Sequence, residues 1–391
     1  MTGIASETKQ NEMGLSWGKA ALLSLPMLLL TALLLLHGHN LKDPLQAIAA
    51  GITYLFANYI FFKMLRSGRT HRYRSIFFVA ASVLFVVSFL ANMFEMRGTM
   101  ELSTANILDG EAPLCPLVIP ALLIPAALTQ TIIFPGSMFA GYAGVATMIV
   151  LWIGFSLAVG RGWCSWICFF GGMDEGMASL CKKPSIRSFD QRWTYLPWAV
   201  LLAVVLLSAA TLSPAYCEWL CPFKTVTEYP AVNSLETGLQ AVIFVSLFLG
   251  LVIYLPLKSG KRTQCGLFCP FGAFQSLFNR CNSFAVRIDR ARCVDCKICL
   301  KECPTFSLNE ASLAAGETRS SCTKCGRCID RCPRGAISYH IKGTEFLRHP
   351  KTARLLFLYP AFIFMAVIGG GCIFGGLLRL LKLLTTGSMI G

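Results

Sequence analysis

Apolar residues fall along this chain in long unbroken blocks separated by short polar stretches, not in the alternating or one-faced patterns of a soluble fold. A helix crosses the hydrocarbon core of a bilayer with about 20 consecutive apolar residues. Seven blocks come near that measure: Ala20–His37, Leu45–Leu65, Ile76–Phe94, Gly141–Gly160, Trp193–Ser213, Leu239–Pro256 and Ala353–Gly370. A further apolar stretch, residues 112–135, contains Pro113, Pro116, Pro120, Pro125 and Pro135, a density that rules out a straight helix. It reads as a broken or re-entrant segment buried against protein. Residues 1–19 lack a compact basic region, and no small-residue cleavage site precedes the second block, so the first block reads as a span and not as a cleaved leader.

Between the sixth and seventh blocks the apolar pattern gives way to polar, glycine-containing sequence. The predicted architecture is therefore a polytopic α-helical membrane protein of about seven spans plus the broken segment, with an inserted α+β ferredoxin-like domain. Its parts are a tail (1–19), a membrane domain (20–257), a linker (258–289), the insert (290–345), and a last span with its tail (350–391).

Composition agrees: 55% of residues are hydrophobic and only 14% charged, with a mean hydropathy of +0.59, which excludes an ordinary soluble protein. The net charge of +15 changes the picture through its distribution. Lys63, Arg66, Arg69, Arg72 and Arg74 crowd one loop, and residues 161–192 and 258–354 are also basic, whereas the alternate loops hold only Lys42, Arg97 and Lys224. By the positive-inside rule the rich loops and the insert are cytoplasmic, and segments 37–43, 95–137 and 214–236 face outward. The expected location is the bacterial inner membrane. The charge is best explained by topology and contact with anionic lipid, and nucleic acid is not expected as a partner.

The insert contains Cys293-Val-Asp-Cys296-Lys-Ile-Cys299-Leu-Lys-Glu-Cys303-Pro304 and then Cys322-Thr-Lys-Cys325-Gly-Arg-Cys328-Ile-Asp-Arg-Cys332-Pro333. Each is a C-x2-C-x2-C-x3-C-P run. Three cysteines on a tight loop hold three irons of one cubane, and the fourth serves the other cluster. Crossed ligation follows: Cys293, Cys296, Cys299 and Cys332 for cluster one, and Cys322, Cys325, Cys328 and Cys303 for cluster two. Structural zinc sites use pairs of cysteines instead of two triplets with trailing C-P. Two [4Fe–4S] clusters imply one-electron relay, in a small fold expected to have a pair of short hairpins and two short helices.

Among the spans lies an internal repeat, C-x3-C. Cys164 and Cys168 end the fourth block, Cys217 and Cys221 follow the fifth, and Cys265 and Cys269 follow the sixth. The first and third copies also share a glycine three residues past the second cysteine (Gly171, Gly272) and a later cysteine (Cys181, Cys281). Loop charge puts the first and third copies inside and the middle one outside. Residues i and i+4 share a helix face, so each pair can reach one centre. Cys164, Cys168, Cys265 and Cys269 would match a four-cysteine cluster, and Cys115 could join Cys217 and Cys221 on the outer side. Redox-active dithiols are the second reading, since residues four apart on a helix lie within disulfide reach, and simple burial is the third. Electrons bound for the far face need intermediate centres across about 30 Å of hydrocarbon.

On Arg161–Gly171, Cys265–Gly272 and the two cysteine runs, the chain resembles the membrane polyferredoxin-like proteins of the NapH and NosR type. The resemblance implies electron transfer between the quinol pool or a cytoplasmic donor and a periplasmic redox enzyme, or other membrane subunits, with quinone as a further ligand. This chain departs from that pattern in having Phe169 in place of proline, three C-x3-C copies instead of two, a span after the ferredoxin part, and no large outer domain.

Other features read as structural. Asp174, Glu175 and Glu218 are expected to be solvated interfacial carboxylates, with proton transfer as the alternative. Trp163, Trp166, Trp193, Trp198 and Trp219 read as an interfacial belt. His37 and His39 are expected in a solvated turn, with copper or quinone contact as the alternative, and five histidines so placed leave no bis-histidine haem. No P-loop, dinucleotide fingerprint or H-E-x-x-H motif occurs. A different functional class remains open: an assembly factor that reduces a metal ion or disulfide, using Cys115, Cys217, Cys221, His37 and His39 as a soft metal-receiving site.

Overall fold

The computed structural model describes residues 14–36, 42–95, 145–181, 183–186, 189–211, 215–227, 232, 234–344 and 350–389. The broken segment at 112–135, with Cys115, and His37 and His39 lie outside these residues. Most of the expected spans form as helices: α1 Trp17–Leu36, α2 Pro44–Ser67, α3 Thr70–Glu95 and α4 Val145–Val159. There follow α5 Phe169–Leu180, α6 Leu196–Thr211 and α7 Leu235–Ser259. Among the described residues five helices are long and apolar enough to cross a bilayer; the pair Trp152–Trp166 and Phe169–Leu180, bent by 42°, would make a sixth.

Two expectations are corrected here. The stretch from Lys63 to Arg74 is not an open loop. Asp43 caps α2 through the Leu45 N–H, α2 ends on left-handed Gly68 (φ 74°), and α3 begins two residues later. The last span is also longer than Ala353–Gly370. It runs as one 37-residue helical stretch, Pro350–Thr386, about 55 Å at 1.5 Å per residue and well beyond the hydrocarbon core. Small residues let it lie close against α3, where a Cβ on Gly376 would come within 2.5 Å of the Leu84 carbonyl and one on Gly369 within 3.0 Å of the Phe77 ring.

After α8 (Pro270–Cys281) the chain enters the ferredoxin segment. Strand β1 (Phe284–Ile288) pairs antiparallel with β2 (Ile337–Ile341), in register from Phe284 opposite Ile341 to Ile288 opposite Ile337. This is one ladder closed between the two ends of the segment, not a pair of hairpins, and it begins six residues before the boundary expected at 290. Between the strands lie α9 Ile298–Glu302, α10 Glu310–Ala314 and α11 Arg327–Arg331.

Buried polar contacts tie this segment to the helices. The Asp330 carboxylate accepts the N–H groups of Thr70 and His71 at the start of α3, 3.2 and 2.8 Å away, where a helix presents unpaired donors and positive dipole charge. Arg354 donates to Thr70 Oγ1 and the Met64 carbonyl. The turn between α2 and α3, the ferredoxin segment and the start of the last helix therefore share one end of the molecule.

Candidate functional site: three cysteine rings

Each C-x2-C-x2-C run folds into a loop with two left-handed residues around its middle cysteine: Asp295 and Lys297 at φ 47° and 55°, and Lys324 and Gly326 at 51° and 80°. The loops point three thiols inward, and the fourth thiol comes from the other run. One cavity is lined by Cys293, Cys296, Cys299 and Cys332, the other by Cys303, Cys322, Cys325 and Cys328. The Ser307 N–H donates to Cys303 Sγ (3.2 Å) and the Ala336 N–H to Cys332 Sγ (3.3 Å). Burial, helped by the nearby Cys332, pushes the Cys299 thiol up to about 11, and burial pushes Cys325 up to about 11 as well. The thiols of Cys299 and Cys325 therefore hold their protons at neutral pH, and a metal must displace them. The donor set, the sulfur-directed amides and the enclosed apolar walls suit iron–sulfur clusters.

The first and third C-x3-C copies fold alike and face each other, which offers four cysteines to a further ring. In both, the second cysteine N–H donates to the residue five before it, Cys168 to Trp163 (3.0 Å) and Cys269 to Gln264 (2.9 Å). In both, the second cysteine is extended (φ/ψ −68°/106° and −64°/116°) and a new helix starts directly after it, α5 or α8. Pro270 suits the first position of α8, and Phe169 fills the same place in α5, so the missing proline leaves the backbone unchanged. All four cysteines are buried. One guanidinium, that of Arg262, reaches both the Cys164 carbonyl and the Cys265 thiol, which brings the two copies together. Burial raises the thiols of Cys265 and Cys269.

Arginines cross between the copies. Arg161 donates to the Cys265 carbonyl (3.1 Å) and Ser276 Oγ (2.7 Å). Arg262, in the matching position, donates to the Cys164 carbonyl (2.6 Å), Ser165 Oγ (2.7 Å) and Cys265 Sγ (3.1 Å). The glycines shared by the copies are explained by this crossing. A Cβ on Gly171 would stand 2.4 Å from Arg262 Nη2, and one on Gly272 3.0 Å from Arg161 Nη2.

Asp174 and Glu175 are buried, not solvated. Asp174 accepts the Cys265 N–H at 2.9 Å, and Glu175 pairs with Arg74 and lies 3.7 Å from Arg262. Trp163 and Trp166 are likewise core residues and not a belt, whereas Trp193 and Trp198 are exposed. Arg74 is fully buried and links the rings, donating to the Ser165 carbonyl in the first copy and to the Cys325 carbonyl (3.2 Å) in the ferredoxin segment. Trp166 Nε1 donates to the Lys324 carbonyl (3.2 Å), the Arg262 N–H to Pro304 (2.8 Å) and Lys261 Nζ to the Cys303 carbonyl (2.8 Å). The Cys303–Cys328 cavity thus sits on the four-cysteine ring, while Cys296 of the other cavity is exposed. Sequence reasoning missed Arg74, Arg262, Ser165 and Trp166 as site residues. The one available signal was the arginine three residues before the first cysteine in both copies.

The middle pair corrects a topological expectation. Phe223, beside Cys221, stacks on Phe170 (4.1 Å) and meets Phe248 of α7 (6.4 Å). Thr263, beside Cys265, donates to the Leu251 carbonyl of the same helix (2.6 Å). Residues 248 and 251 are about 5 Å apart along a helix axis. Gln264 also reaches the Tyr216 hydroxyl at 3.4 Å. The pair expected at the opposite face therefore folds back to nearly the depth of the inner pairs. Cys115 and the two histidines proposed to join it lie outside the described residues.

The same stretches of the chain match known iron–sulfur families. A 4Fe-4S binding domain family matches residues 140–187, 194–232 and 240–289, one stretch for each C-x3-C copy, and a 4Fe-4S dicluster domain family matches 285–333. An uncharacterized protein of Methanocaldococcus jannaschii is 28% identical over 45% of this chain and 71% of its own length. The methylamine utilization ferredoxin-type protein MauN of Methylorubrum extorquens is 28% identical over 61% of this chain and 76% of its own. The ferredoxin-type protein NapH of Haemophilus influenzae is 27% identical over 41% of this chain, and the match spans only about half of that relative, 52%. No solved structure matches.

Proposed function

The chain belongs to the NapH-type polyferredoxin-like 4Fe–4S proteins and is a ferredoxin-type electron transport protein of the membrane; from that premise we propose a relay of three clusters leading from an exposed entry point into the membrane domain. Cys293, Cys296, Cys299 and Cys332 hold the first cluster, Cys322, Cys325, Cys328 and Cys303 the second, and Cys164, Cys168, Cys265 and Cys269 the third. When bound, each supplies a one-electron couple with little protein movement. The carrying observation is the seam of backbone contacts between the second and third rings, in which Arg74, Trp166, Lys261 and Arg262 grip residues 303, 304, 324 and 325. These contacts join the second ring to the third.

The donor is a quinol or a cytoplasmic carrier, and the acceptor lies on the periplasmic side, reached by way of Cys217 and Cys221. Partners are other subunits of a membrane electron-transfer complex. The ferredoxin segment faces the cytoplasm of a bacterial inner membrane. Iron and acid-labile sulfide per chain test the number of centres: about twelve irons support three clusters, and about eight would remove the third. Vesicles with reductant outside and an acceptor enclosed test the crossing; clusters that load but never reduce the enclosed acceptor would sink it.

A further inference from the structure

Arg161 and Arg262 stand three residues before the first cysteine of the two inner copies. Both are buried, 3% and 0% exposed. Arg262 donates to the first thiol of its own copy, Cys265 Sγ, at 3.1 Å, and each arginine donates to the carbonyl of the first cysteine in the other copy. The same atom of each, Nε, is buried with no acceptor among the described residues. A buried donor without an acceptor is costly, and finding it twice, at quasi-equivalent positions beside a ring of thiols, points to an acceptor held by that ring. An inorganic sulfide of a cluster is such an acceptor.

On the reading that these four cysteines hold a cluster, we propose that Arg161 and Arg262 are positioning residues that set the reduction potential of this third centre. Two desolvated positive charges and N–H···S hydrogen bonds favour the state carrying the extra electron. The arginines therefore raise the potential of the third centre above that of an otherwise similar ring without them, and draw electrons out of the ferredoxin pair toward the membrane. The middle copy has Pro214 at the corresponding position, so this charge is specific to the inner ring.

The experiment is an EPR-monitored redox titration of anaerobically reconstituted full-length protein, with iron counted in the same samples, for wild type, Arg161→Gln, Arg262→Gln and the two lysine variants. Each glutamine variant is expected to keep about twelve irons and to move one cluster to a lower midpoint potential while the other two stay. The double glutamine variant moves that cluster further, and lysine at either position restores most of the shift. Loss of about four irons with glutamine but not with lysine expresses the same need for positive charge. Unchanged potentials with iron retained would overturn the inference, as would equal loss of iron in the glutamine and lysine variants. About eight irons in the wild type would instead remove the underlying reading of a third cluster, and C164S/C168S, expected to lose about four irons while the ferredoxin signals stay, separates the two failures.

Discussion

The ferredoxin rings and the inner C-x3-C ring use the same ligand chemistry and are assembled in different ways. In the ferredoxin segment all eight cysteines lie within 40 residues, from Cys293 to Cys332, and local left-handed turns aim them. In the inner ring the pairs stand 101 positions apart, Cys164 against Cys265, and arginines threaded over glycines hold the two turns together. A local site depends on its spacing. A site shared between distant helices depends on the contacts that join them.

That contrast can be broken at graded points. The largest effect is expected from Arg74→Ala, which leaves the buried Glu175 carboxylate without its closest partner and frees the Cys325 and Ser165 carbonyls. Breaking a buried pair from one side costs about 3–5 kcal/mol, so thermal unfolding in detergent should fall steeply, and isolated ferredoxin EPR signals should lose their interaction with the third centre. Next comes Gly171→Ala, which drives a methyl against Arg262 and the Cys164 carbonyl, each 2.4 Å away. Overpacking of this kind costs about 1–3 kcal/mol. Gly272→Ala, with its nearest contacts at 3.0 and 3.2 Å, should cost less on the same melting assay; equal costs would show that the quasi-symmetric clasp is not what requires glycine. Trp166→Phe removes the bond to the Lys324 carbonyl, which keeps the Tyr339 hydroxyl as a donor (3.1 Å), and puts a smaller ring in a fully buried site, so a loss of about 1–2 kcal/mol is expected. In the ferredoxin rings Cys322→Ser should lower iron by up to about four atoms per chain and leave the inner ring loaded. Loss of every cluster would mean that the rings do not assemble independently.

Some of this could be read from the sequence because it is set by neighbours in the chain. Apolar runs of span length, the two C-x2-C-x2-C-x3-C-P runs, and the repeat of Cys164/Cys168 in Cys265/Cys269 are patterns of fixed spacing, and spacing survives folding. The expected crossing of Cys303 and Cys332 rests on the same kind of spacing, and each cysteine lines the cavity of the other run. Burial was not. Asp174, Glu175, Arg74 and Trp166 looked like interfacial residues because their types favour water or headgroups, and only packing of α5 against α3 and the third copy, and of α3 against the ferredoxin segment, takes them out of solvent. The depth of Cys217 and Cys221 was not legible either. Loop charge reports the side on which a segment begins, not how far it folds back, and contacts of Phe223 with Phe170 and Phe248 decide that.

By itself the sequence determined a membrane chain bearing iron–sulfur ligands and an internal cysteine repeat, since composition and short-range spacing need no tertiary partner. Only the tertiary structure decided that the first and third copies face each other, that Arg161 and Arg262 exchange places across them, and that the second ferredoxin cavity rests on the result. Those outcomes depend on which surfaces lie opposite one another after the helices pack, and residues about a hundred positions apart carry no record of that in their spacing.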